Sequence, residues 1–204
     1  MKYVIDRLGR DAFLAEVEKE HGPTATFASL GTDVNAKRER DVIIMMLRYP
    51  DYIGLARAGD IVACHFSNPS LARIRTAMVE AFGEFGTPQW ISSVIERAGE
   101  ELRPLVSELA MVDIPVRRVT IPKPKVENEA AAAERIAEEE KRTHHNIEIY
   151  AIDVATALIE ADLIRQRGEL HSILQRTPEG APELADLQQR LSELELRRRA
   201  LRRE

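Results

Sequence analysis

His144 and His145 stand side by side, His65 follows Cys64, and His171 stands apart. These are the residues whose types could hold a metal ion or attack a substrate. Two ligands on one helix must share a face, as an i, i+4 pair does, whereas adjacent helical residues point about 100° apart. His144 and His145 are therefore poor joint ligands. Neither His65 nor His171 has a carboxylate or histidine at ligand spacing, so no metal site is expected. Cys64 beside His65 suggests a nucleophile with its base. Neighbouring residues rarely orient that way, and a small buried cysteine is the plainer reading. Arg197, Arg198, Arg199, Arg202 and Arg203 could grip phosphates. They equally suit a solvated helix face whose C-terminal end favours cations. That reading is preferred, with an acidic protein surface as the next candidate. No catalytic residue, metal or cofactor is expected.

Composition narrows the classes further. The 204 residues suffice for one or two domains, and 44% hydrophobic content supports a compact core. Charged residues make up 31% and aromatics only 5%, a balance that favours a soluble, helix-rich protein. A net charge of −5 argues against nonspecific nucleic-acid binding by the whole chain. Cys64 is the one cysteine, which excludes an internal disulfide and suggests a reducing compartment. The first residues are too polar for a signal peptide, and no run reaches membrane-spanning length. A cytoplasmic protein with no membrane contact is expected.

The element that would present the terminal arginines is an arm over residues 147–204. Its first helix, about 147–176, carries Ile152, Ala155, Ile159, Leu163, Leu170 and Leu174. Its second, about 183–203, carries Leu184, Leu187, Leu191, Leu194 and Leu201, an a/d seam of period about 3.5. Between them, Pro178, Gly180 and Pro182 break the helix and predict an antiparallel hairpin. Such a hairpin is thin and suits docking.

Upstream, residues 1–21 read as two short helices and 22–36 as a linker. Residues 37–115 read as a bundle of about five short helices. Val42, Ile43, Ile44, Met45, Met46 and Leu47 form a nearly continuous apolar block, so that helix should be the most buried and should stop at Tyr49, before Pro50. Asn68 and Pro69 give a cap and first turn to a helix with Leu71, Ile74, Met78, Val79 and Phe82 as its apolar stripe. Residues 116–126 should be extended and exposed. Residues 116–146 form a linker containing an Ala/Glu-rich helix capped by Asn128. Either that helix runs on into the arm, or Thr143 or Asn146 restarts it.

The order of these parts carries a resemblance. Residues 38–50 fit the pattern E-x-x-L-L-x-x-L-hydrophobic-x-x-P, with Glu39, Val42, Ile43, Met46, Leu47 and Pro50 at its positions. Phe66, Pro69, Leu71 and Ile74 fit the F-x-x-P stretch that follows, Ser107 to Ala110 a further helix, and residues 153–165 with 174–176 a long hairpin helix. This ordered set, spread over most of residues 37–204, resembles the C-terminal helicase-binding domain of bacterial replicative DNA primase, the DnaG type. Residues 3–20 resemble the helical tail of that family's polymerase domain, which implies a piece cut from a longer primase. The stretch 116–142 is longer and more acidic than the family pattern. The polymerase chemistry does not carry over, because the chain lacks an acidic D-x-D on a strand and the cysteines of a zinc module.

The resemblance implies an all-α fold, a small helical bundle followed by a long-helix C-terminal hairpin. It implies a non-catalytic module that binds the N-terminal domains of the hexameric replicative helicase, the DnaB type. Leu187, Arg190, Leu194, Arg197, Arg198 and Leu201 are the contact candidates, chosen by position on the terminal helix. Two other classes stay open: a self-associating coiled-coil scaffold, including a homodimer through the hairpin, and a helical nucleic-acid binder.

Overall fold

The computed structural model describes residues 26–116, 118–123, 128–178 and 180–201. The expected helical tail, 1–21, lies outside them. The described residues are all-α: α1 (Val34–Arg48), α2 (Pro50–Ile53), α3 (Leu55–Ala63), α4 (Pro69–Glu80), α5 (Trp90–Ala98), α6 (Arg103–Met111), α7 (Glu129–Arg176) and α8 (Leu184–Leu201). Short 3₁₀ turns occupy Phe27–Leu30 and Phe82–Glu84. They fall into two compact units. The first holds the described residues up to Arg48 together with Phe66–Val112, and the second holds Tyr49–His65 and the residues from Asp113 onward.

The first unit is built around α1. Val42 to Leu47 are all buried, as their continuous run requires. Trp90 of α5 is also buried, and its indole N–H donates to the Met46 carbonyl at 2.8 Å. Arg48 closes the unit by donating to the carbonyls of Met111 and Val112 at the end of α6. Asn68 caps α4, accepting from the N–H groups of Ser70 and Leu71, with Pro69 in the first turn. The expected stripe of α4 holds at Leu71, Ile74 and Met78, but Val79 is exposed: it lies about 100° round the helix from Met78. The expected linker 22–36 also gains structure. Leu30 is buried, and Asp33 Oδ1 accepts from the N–H groups of Asn35 and Ala36, starting α1 at Val34.

The second unit is built on α7, which runs unbroken for 48 residues from its Asn128 cap. The sequence left open a restart at 143–146. Thr143 does not cap; its hydroxyl donates instead to the Glu139 carbonyl at 2.8 Å, so nothing interrupts the backbone ladder. The buried stripe of α7 is Ala151, Ala155, Leu158, Ile159 and Leu163. Helices α2 and α3 pack on it, burying Ile53, Ala58 and Ile61. Residues 50–63 were expected within the 37–115 bundle, whereas here they group with the arm. Gly54, at φ 72°, makes the corner between α2 and α3. Residues 118–121 carry no helix or strand, and they are tied to α7. The Val119 N–H donates to Thr143 Oγ1 at 3.1 Å and the Ile121 N–H to Glu139 Oε1 at 2.7 Å. The Ile121 N–H, aided by Arg135, holds the Glu139 carboxyl below its ordinary range.

Helix α8 returns antiparallel along α7 after a turn in which Gly180 takes φ 84°. Leu187 is buried at that seam, and Leu184, Leu191, Leu194 and Leu201 are half-buried. Among the described residues, no helix is long and apolar enough to cross a membrane.

Cys64 ends α3 as a buried thiol that donates to the Asp60 carbonyl at 3.3 Å. Burial, with Asp162 nearby, pushes it up to about 12. The thiolate is the reacting form, so the folded chain should resist iodoacetamide at pH 8 and react once denatured. Mass spectrometry after a timed pulse reads this directly. Full labelling of the native chain within minutes would place Cys64 at the surface.

Candidate partner-binding surface

Among the described residues the histidines do not assemble. His144 is exposed and meets the Tyr52 ring edge-on at 6.2 Å. His145 is exposed, with Nδ1 3.7 Å from Glu148. His65 and His171 are exposed as well. Among the described residues, no group of three His, Cys, Asp or Glu side chains could hold a metal.

The arm has more to offer. Antiparallel packing of α7 on α8 leaves a groove of about 450 Å³ along one side of the seam. Leu170 and Ile173 of α7 and Leu194 of α8 supply its apolar surface, with Ile173 half-exposed. Glu169, Glu193, Arg190 and Arg197 supply its charges. The groove can therefore take an apolar ridge between charged flanks of either sign, as an amphipathic segment presents.

The six candidates from the sequence divide. Arg190, Leu194 and Arg197 line the groove. Leu187 is buried in the seam, and half-buried Leu201 lies outside the groove. Arg198 turns to the opposite side, where it reaches Glu160 of α7 at 3.0 Å. The arginines are also engaged within the chain. Arg190 pairs with Asp186 at 3.0 Å and Arg197 with Asp60 of α3 at 2.5 Å. Both members of the Arg197–Asp60 pair are about half exposed, so water screens it and it contributes at most about 1 kcal/mol. A partner's acidic group could replace Asp60 at small cost.

Two residues position the rest: Glu39, which heads the first motif but whose partners the motif does not name, and Asp162, which sequence reasoning missed. Glu39 is buried, and its carboxylate accepts from the Ser67 N–H (2.6 Å), the Ser67 hydroxyl (2.7 Å) and the Asn68 N–H (3.1 Å). It joins the two motifs, since Glu39 opens one and Ser67 and Asn68 lie inside the other. Asp162 is buried on α7 and accepts from the His65 N–H at 3.2 Å, from Arg165 and from Gln166. It fixes the chain leaving α3 against the long helix. The available signal was an acidic residue inside an apolar stripe, with Leu158, Ile159 and Leu163 around it.

No protein-family model and no curated protein matches the sequence. Among solved structures, the chain is similar to the helicase-binding domain of primase from Mycobacterium tuberculosis. The two are 24% identical over 81% of this chain and 89% of that one, with a TM-score of 0.53, and so share a fold.

Proposed function

We propose that this chain is the helicase-interaction module of a bacterial DNA primase. The observation that carries the reading is the fold it shares with a primase helicase-binding domain across most of both chains. The groove on the arm supports it by offering apolar contact between charged flanks, the chemistry a protein partner needs. In this reading the arm binds the N-terminal domains of a hexameric replicative helicase in the cytoplasm. Recruitment raises the effective concentration of the primer-synthesising enzyme at the fork, and several sites on one hexamer add avidity. The module performs no chemistry of its own and needs no cofactor.

The test is removal of residues 183–204, which takes away α8 and its half of the groove. Helicase binding should be lost, while the first unit keeps its fold because its core uses none of those residues. Trp90 lies in that core and is the sole tryptophan, so its fluorescence reports the fold. Undiminished binding would move the site off the arm. Loss of the Trp90 transition, or a full-length chain that sediments as a dimer and ignores the helicase, would favour a self-associating scaffold.

A further inference from the structure

The seam between α7 and α8 has a second flank. Opposite the groove lies a depression of about 240 Å³ lined by Arg167 of α7 and Glu195, Arg198 and Arg199 of α8. Three arginines and one glutamate from two helices line it. Arg198 is already paired with Glu160. Arg167 and Arg199 have no hydrogen bond or ion pair among the described residues. Arg199 sits in the last turn of α8, where a cation offsets the helix dipole. That account does not reach Arg167, which lies well inside α7. Arg167 lines the depression because α8 folds back beside α7.

We propose that this depression is an anion site for phosphoryl oxygens, with Arg167 and Arg199 as the free donors and Arg198 as a fixed one. A guanidinium presents its N–H groups as a planar fork that matches two phosphate oxygens. Two such forks from different helices can hold adjacent oxygens of one phosphate or successive phosphates of a strand. Glu195 keeps the local charge modest, which suits weak, salt-sensitive contact. The site uses none of the groove residues, so it stands apart from the helicase reading.

The same chemistry could come from a phosphodiester backbone or from a free phosphate or pyrophosphate. Three probes separate these sources: a single-stranded oligonucleotide, inorganic phosphate and pyrophosphate. Each is titrated against the full chain and against an Arg167→Ala, Arg199→Ala double variant. Both positions are helical and have no partner among the described residues, so alanine should move the melting curve by no more than the small dipole contribution of Arg199. For the oligonucleotide, log K against log salt has a slope of about −0.7 per phosphate contact, so the variant's slope should be shallower by about 1.4. If free anions are the ligand instead, phosphate or pyrophosphate should saturate the wild type in the millimolar range and not the variant. An identical salt slope in the two proteins, together with no saturable anion binding, overturns the proposal. Helicase affinity should be the same in both proteins, so failure here leaves the groove reading standing.

Discussion

Replacing Glu39 with alanine should lower the stability of the first unit by about 3–4 kcal/mol. The carboxylate is 3% exposed and holds three donors at the start of α4. Each hydrogen bond to a charged acceptor contributes about 1.5–3 kcal/mol, but the three are not additive, and exposed Ser67 regains water when the acceptor goes. A negative group near a helix N-terminus is also favoured by the helix dipole. Glu39→Gln keeps one carbonyl acceptor while turning an amide NH₂ toward a donor, so it should fall between wild type and alanine. Urea unfolding followed by Trp90 fluorescence measures both. An alanine variant with an unchanged midpoint would mean that Glu39 holds nothing together.

The second large effect concerns binding. Ile173→Asp should weaken helicase affinity by about tenfold or more, equivalent to about 1.4 kcal/mol. Ile173 is 48% exposed in the free chain and lines the groove, so it has apolar area left for a partner to cover. The same exposure means the fold loses little, and the melting temperature should move by no more than a few degrees. Val79→Asp is the matched control, an equally exposed apolar residue of α4 in the first unit. Anisotropy titrations of labelled chains against the helicase compare the three proteins. Equal affinity for wild type and Ile173→Asp removes the groove from consideration; equal losses in both variants would point to a nonspecific charge effect.

Local signals in the sequence were read correctly where the physics is local. Asn68 with Pro69 starts α4, the run from Val42 to Leu47 is the deepest stretch of α1, and the break at Pro178 and Gly180 turns α7 into α8. What was not legible depends on partners far along the chain. Residues 50–63 look like bundle helices from their own pattern. The face they pack on belongs to α7, about a hundred positions later. Asp162 looks like an ordinary polar position, and Glu39 like a motif residue without a partner, until the backbone N–H groups they serve are brought to them. The continuity of α7 was left open because Thr143 and Asn146 can cap. Thr143 instead bonds back to the Glu139 carbonyl, an arrangement open to a threonine inside a helix. The seam period placed α8 correctly, but its spacing alone could not tell which arginines face the candidate groove and which turn away.

The interleaving of the two units sets an order of events during synthesis. Helices α2 and α3 leave the ribosome well before α7, carrying Ile53, Ala58 and Ile61 ahead of the helix they pack on. His65 waits for Asp162, 97 residues later. At roughly 5–20 residues per second, that interval lasts on the order of 5–20 seconds. The nascent chain must keep this apolar stretch out of other associations throughout, and a stall before α7 is made would leave it uncovered. Translation speed across residues 66–162 therefore sets how long this stretch stays uncovered.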